Sequence, residues 1–169
     1  EKLGIGTSIN FKQIEGSYNQ VFINKIGKYQ ENIADQGLGI IQILPVIINI
    51  QKSIDSGVWL FVEEPGAHLH PKWQSLLADM FVEGMKAGGR FVVETHSEYF
   101  MRKVQLLSSR SSKQFASPVI YNFPDRINND NNVYKIHIME DGKLSNNFGR
   151  GFYDESLNLK FQLSDITTN

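Results

Sequence analysis

The chain contains no cysteine. That excludes disulfides and thiolate metal sites, and it agrees with a reducing, cytoplasmic setting. No stretch approaches the ~18 uninterrupted apolar residues of a bilayer span, and no signal peptide opens the chain, so no membrane partner is expected. An excess of one charge is also missing. With 17 basic and 18 acidic residues the net charge is −1, which gives no overall basic footprint for nucleic acid. No internal repeat is visible. A chain that opens at Glu1 rather than Met is expected to be a fragment of something longer. What remains is an ordinary globular composition, 41% apolar over 169 residues, enough to build the core of one domain or of part of one.

Two short stretches organise that composition. Residues 58–62 are an apolar, strand-forming run that ends abruptly in Glu63 and Glu64, and 91–93 are another that ends in Glu94, Thr95 and His96. Between them, Trp73, Leu76, Leu77, Met80, Phe81 and Met85 recur at helical spacing, with Pro71 suited to a first helical position and Gly88-Gly89 to a stop. The unit is therefore strand–helix–strand, and a connection of that length predicts a right-handed crossover between parallel strands. Parallel strands that end together put Glu63, Glu64 and His96 on one edge of the sheet. Neighbouring strands lie only about 5 Å apart, and ligands of open α/β sheets bind at that edge.

The flanking sequence is less sharply written. Residues 7–14 and 20–26 alternate as two strands of an antiparallel hairpin. A glycine-bearing loop over 34–42 leads into a stretch, Ile43 to Ile54, that is apolar on nearly all sides and predicts a buried helix with Pro45 in its first turn. After His96, Thr95 or Ser97 can cap a further helix whose inner face is Phe100, Met101, Val104 and Leu107; Thr95 with Glu98 matches a capping box. Residues 108–117 read as a serine-rich, basic surface loop. Residues 118–123 read as a strand, 125–132 as a polar turn, and Tyr134, Ile136 and Ile138 as a strand turning at Asp141-Gly142 toward Leu144. The tail around 149–154 predicts nothing regular.

A carboxylate pair that ends a hydrophobic strand is what a nucleoside triphosphatase needs beside its phosphates. One carboxylate holds magnesium, usually through water, and the next orients or deprotonates the attacking water. A histidine on the adjacent strand can contact the terminal phosphate. A glycine loop at a helix N-terminus presents backbone N–H groups that suit another phosphate. In these residues the chain resembles a known family. Residues 58–65 look like the Walker B strand of ABC-type ATPases, Ala67-His-Leu-His70 like the D-loop, Thr95-His96-Ser97 like the switch-histidine motif, and 35–45 like the signature. The Glu-Glu-Pro-x-Ala-His-Leu-His-Pro form is similar to the AAA-like branch grouped with RecF, SMC and OLD-type proteins. Within it, the Gly-x-Gly-x-x-Gln-x-Leu-Pro signature and the late Gly-Phe-Tyr-Asp resemble ATPases carrying a DUF3696 segment.

The resemblance implies an α/β, three-layer P-loop NTPase-like half-domain, with parallel core strands flanked by helices plus antiparallel β-hairpins. It reads the whole of 1–169 as one partial domain: signature-like loop 35–45, Walker B 58–65, D-loop 66–71, switch histidine 94–97 and C-terminal strands 118–163. By the same resemblance Glu64 is the general base and His96 the γ-phosphate switch. Glu63 is the magnesium-side acid, and Gly37, Gly39, Gln42 and His70 belong to the cofactor-binding loops. ATP and Mg2+ are the implied cofactors, and a head-to-tail homodimer across ATP the implied assembly. Nucleic acid, or a nuclease or effector protein, stands as a further partner class. Three departures stand out. Glu63 replaces the usual aspartate, Gly66 stands where a third acid is common, and Ile41 stands where the signature often has serine. The phosphate loop, Gly-x-x-x-x-Gly-Lys-Ser/Thr, is nowhere in the sequence, so an upstream Walker A half is expected to supply it and this chain alone is expected to bind ATP weakly or not at all. Two rivals belong to other classes. One is a metal-dependent hydrolase or nuclease using Glu64, His68, His70 and His96; the barrel in which such a His-x-His usually works needs about 250 residues. The other is a non-catalytic interaction module.

Overall fold

The computed structural model describes residues 6, 8–14, 18–25, 27, 29–109, 119–122, 133–146, 148, 153 and 155–167. The chain divides into two units, Glu1–Val104 and Gln105–Asn169. The first opens with an antiparallel sheet of three strands, β1 (Ser8–Ile14), β2 (Tyr18–Asn24) and β3 (Gln30–Asn32), in the order β1-β2-β3. Ser8 pairs with Asn24 and Phe22 with Asn32. The hairpin is as the alternation predicts. The third strand is too short and polar to show any period.

A short 3-10 turn at Ile33–Asp35, capped by the Asn32 side chain, leads to α1 (Leu38–Ser56). The structure corrects two expectations here. The helix begins at Leu38, before the predicted Ile43, so Gly39 and Gln42 are helical and Pro45 lies inside the helix. Pro45 is tolerated because it faces out, where the lost i→i−4 bond meets solvent. Nor is α1 buried all round: among its residues only Ile43, Ile50 and Ser53 are buried, while Leu38, Ile41 and Ile48 are exposed. By length and composition α1 would pass for a bilayer-spanning helix, a signal the uninterrupted-run criterion does not raise because Gln42, Asn49, Gln51 and Lys52 interrupt it. Here it packs on the strands and helix that follow. Gly57, in the left-handed region at φ 69°, ends it and returns its N–H to the Ser53 carbonyl.

The parallel pair is β4 (Trp59–Glu63) and β5 (Arg90–Glu94), joined by α2 (Pro71–Lys86) and followed by α3 (Glu98–Ser109). Leu60, Val62, Phe91 and Val93 alternate with exposed neighbours and form the face toward the helices. Phe81 of α2 sits edge-on to both Phe91 and Phe100, with ring centroids 5.2 and 5.7 Å away. With Leu77, Ala78, Val82 and Val104 it makes the core of this unit. Each such large side chain contributes about 1.5–3 kcal/mol by leaving water. Ser53, only 3% exposed, joins the layers: its hydroxyl donates to the Val58 carbonyl (2.7 Å) and accepts from the Arg90 N–H (3.0 Å). One polar group thus fixes α1 to the entry points of both strands. Lys103 of α3 reaches Asp79 of α2 at 3.1 Å. The α/β architecture, with a parallel pair of strands flanked by helices and separate antiparallel hairpins, is the predicted class.

In the second unit β6 (Val119–Asn122) pairs antiparallel with β7 (Tyr134–His137), and Ile138 bridges Leu144 across the Asp141-Gly142 turn. Ile136 and Ile138 are its buried residues. Tyr153 packs edge-on to Phe148 at 4.8 Å. The stretch read as strands out to residue 163 ends instead in a helix, α4 (Glu155–Thr167). Leu157, Leu159, Phe161 and Leu163 alternate like a strand, but the Glu, Leu, Lys and Gln between and among them are good helix formers, and that preference prevails. The predicted loop 108–117 beyond Ser109, the polar turn 125–132, and most of 149–154 lie outside the described residues.

Candidate functional site

The edge where β4 and β5 end is where the ionisable residues collect. Both strands stop in register, Glu63 opposite Glu94. The chain then turns sharply at Glu64, whose φ of 42° is in the left-handed region that side chains rarely occupy. Its backbone N–H still bonds the Glu94 carbonyl at 2.8 Å, so the turn is anchored to the neighbouring strand. That turn aims the Glu64 carboxylate across the edge. Oε1 accepts the His96 backbone N–H at 2.7 Å, and Oε2 accepts the Thr95 hydroxyl at 3.3 Å. A carboxylate offers about four lone-pair positions, so two remain for a water or a proton. The His96 imidazole stands 3.8 Å from Glu64 Oε1 and is largely exposed, close to the carboxylate but facing outward. The structure therefore brings Glu64 and His96 together at the edge and sets Glu63 beside Glu94 on the outer face of the strands.

Ser97 caps α3, accepting the Phe100 N–H at 3.0 Å. The capping box from Thr95 to Glu98 does not form, because the Thr95 hydroxyl is engaged by Glu64 and by the Ser97 N–H (3.1 Å). The 66–70 loop follows Glu64. His68 is exposed with φ 61°, and His70 is the N-cap of α2, its Nδ1 accepting the Lys72 N–H at 3.2 Å. His70 thus has a structural task that leaves only Nε2 for a ligand. Among the described residues no group of three or more His, Asp or Glu is placed to hold a metal ion. Glu64, His68, His70 and His96 do not converge as the hydrolase rival requires. Glu63 and Glu94 supply only hard carboxylate oxygens, the donor set magnesium accepts when phosphates complete its shell.

The glycine segment lies at the start of α1. Gly37 is the N-cap and makes no side-chain capping bond, so the first turn's N–H groups and the positive end of the helix dipole are not satisfied by a capping side chain. Gly39 lies against the 66–70 loop: a Cβ there would come within 3.1 Å of the Leu69 side chain and 3.9 Å of the His68 carbonyl. A larger residue would fit only if the Leu69 side chain gave way by a few tenths of an ångström. Gln42 points its Oε1 into the protein, where that atom is buried and has no hydrogen-bond partner among the described residues.

Residues that sequence reasoning did not select also belong here. Glu94 ends its strand in register with Glu63, a signal readable from the two matching strand ends. Gln74 of α2 is another, with no signal in the sequence that sets it apart from the other polar residues of its helix. Of the basic residues on α3, Arg102 pairs with Glu98 at 3.4 Å and Lys103 with Asp79. Arg110 and Lys113 lie outside the described residues.

Comparison with known proteins agrees with this geometry at the level of class. A solved chain from work on the structural biochemistry of ATP-driven dimerization and DNA-stimulated activation of SMC ATPases superposes with a TM-score of 0.57 at 15% identity, over 96% of this chain and 84% of that one. At that identity the likeness establishes the fold alone. A family model described as "AAA domain, putative AbiEii toxin, Type IV TA system" matches residues 8–102. The chain belongs to that AAA family of P-loop ATPases. No curated protein matches it.

Proposed function

We propose that this chain is the C-terminal half of an ABC-type ATPase, with the DUF3696-like signature its sequence resembles, acting in the cytoplasm. An upstream Walker A half would bind the nucleotide's phosphates. The observation that carries the proposal is the carboxylate of Glu64, held by the Thr95 hydroxyl and the His96 N–H beside the His96 imidazole at the ends of two parallel strands. A general base must be fixed in direction yet keep a lone pair free, and Glu64 has both properties.

Glu63, with Glu94 alongside, would hold Mg2+, mainly through water. The bound ion would neutralise charge on the phosphates during transfer. Glu64 orients the attacking water and takes its proton. His96 presents its exposed imidazole to the terminal phosphate. The start of α1, with Gly37 and Gly39, would meet ATP held by a second copy, with the amide of Gln42, its Oε1 buried, turning outward to join them, and His70 would lie at the same junction. A head-to-tail homodimer is the assembly this requires, and the SMC ATPases of similar fold are described as dimerising under ATP. Their activation by DNA makes nucleic acid a candidate partner here too. The absence of any phosphate-loop motif in the 169 residues supports dependence on an upstream half.

Two measurements test the reading. In the complete protein, Glu64→Gln lowers ATP turnover roughly 10²–10⁴-fold, the usual worth of a general base, while nucleotide still binds. Undiminished turnover would exclude the assignment. In the 169-residue chain alone, ATP titration gives no saturable binding in the micromolar range. Micromolar affinity would show that the missing phosphate loop is not needed.

A further inference from the structure

The site depends on a side chain some distance from it. Gln74, in the first turns of α2, is half-buried and makes two hydrogen bonds in opposite directions. Its Nε2 donates to the Leu69 carbonyl at 2.9 Å, in the 66–70 loop. Its Oε1 accepts the Ser97 hydroxyl at 2.5 Å, at the cap of α3. The amide orientation is fixed by chemistry, since the Leu69 carbonyl can only accept. The Ser97 hydroxyl must then donate to Gln74, because the amide oxygen facing it can only accept, while the Ser97 oxygen in turn accepts the Phe100 N–H.

From Ser97 the sequence of bonds continues without a break. The Ser97 N–H donates to the Thr95 hydroxyl oxygen, and that hydroxyl donates to Glu64 Oε2. Every donor and acceptor along this path has one consistent assignment, from the Leu69 carbonyl to the carboxylate. The other carboxylate oxygen is held by the N–H of His96, on the same short segment between β5 and α3. That segment is exposed on one side, and Gln74 is the tie from α2 that holds its Ser97 end.

We propose that Gln74 is a positioning residue for Glu64, coupling the 66–70 loop to the base through Ser97 and Thr95. The proposal rests on the reading of Glu64 as the base of an ATPase. A shift of the 66–70 loop would pull on the Leu69 carbonyl, then on the amide of Gln74, and so change the direction of the carboxylate without touching it. Fractions of an ångström suffice, because the rate depends steeply on how the base is aimed. The 66–70 loop also packs on the glycine at the start of α1, so whatever binds that helix end has a route to the base.

The test uses the complete ATPase. Gln74→Met keeps length and bulk but removes both hydrogen bonds. It is expected to lower kcat roughly ten- to hundredfold while KM for ATP stays within about twofold. Thr95→Val is expected to do the same, and Thr95→Ser, which keeps the hydroxyl, to restore most of the rate. Combining Gln74→Met with Thr95→Val should cost no more than the worse single change, because both break one path. Should Gln74→Met not fold, Ser97→Ala breaks the same tie and carries the same expectation. A folded Gln74→Met enzyme with undiminished kcat, or a double loss equal to the product of the single losses, overturns the proposal. Glu64→Gln, measured alongside, separates the two levels. If it is inactive while Gln74→Met is not, only the coupling fails; if it is fully active, the base assignment fails and the coupling with it.

Discussion

The two faces of the β4–β5 pair have the same backbone and opposite surroundings. On one, Leu60, Val62, Phe91 and Val93 meet α1 and α2 and help form the core. On the other, Trp59, Phe61 and Val92 are 54%, 71% and 45% exposed, although they are as apolar as their partners across the sheet. Parallel sheets in soluble proteins are covered on both sides. The difference shows that sequence patterning and packing report different things here: the strands are written for a two-sided environment, and these residues supply one side of it. It also separates the acids, since Glu63 and Glu94 continue the uncovered face while Glu64 leaves the strand for the edge.

The comparison can be broken by mutation. The largest effect is expected from Phe81→Ala, which removes the ring between Phe91 and Phe100. It should cost about 3–5 kcal/mol in chemical denaturation of this chain, and the matching change on the open face, Phe61→Ser, should cost below about 0.5 kcal/mol. Equal losses would mean that Phe61 is already packed. Ser53→Ala comes next. It strands the Arg90 N–H and the Val58 carbonyl beneath α1, for about 1–3 kcal/mol. A neutral result would show that α1 is not fixed to the strands by that hydroxyl.

The smallest effect lies away from both faces, where Lys25 joins Glu31 of β3 at 2.9 Å and Gln36 bonds the same carboxylate at 2.6 Å. The hydrogen bond from Lys25, then that from Gln36, holds the Glu31 carboxyl below its ordinary value of 4.5. A carboxyl lowered in the folded state stabilises above its unfolded pKa, and that contribution is lost as pH falls through the folded one. Glu31→Gln should therefore lower the melting temperature slightly at neutral pH and leave it unchanged in acid. An equal shift at both would sever the ion pair from stability.

How much of this was legible depended on whether the signal was local. The strand–helix–strand unit could be read because its period changes from two to 3.6 and back between Val58 and Glu94, and the nearness of Glu64 to His96 followed from parallel strands that end together. The start of α1 was misplaced because Gly37 and Gly39 look like a loop, although helix and glycine coexist when another segment must approach as closely as Leu69 does. The C-terminal helix was hidden by an apolar alternation that suits a strand. Gln74 could not be singled out, since nothing in a helix sequence says which polar residue turns inward to join two loops. The ties from Thr95 and the His96 N–H to Glu64 were equally out of reach, because they depend on a backbone turn that the residue type does not favour.

That turn sets two demands against each other at a single residue. Holding a side-chain-bearing residue at positive φ costs roughly 1–2 kcal/mol, and glycine would relieve it at Glu64 and again at His68. At His68 a selection for heat resistance alone would favour glycine; at Glu64 the gain would be offset by the two hydrogen bonds that the carboxylate accepts from the Thr95 hydroxyl and the His96 N–H. The strain at position 64 is thus balanced locally by the same carboxylate whose side chain creates it.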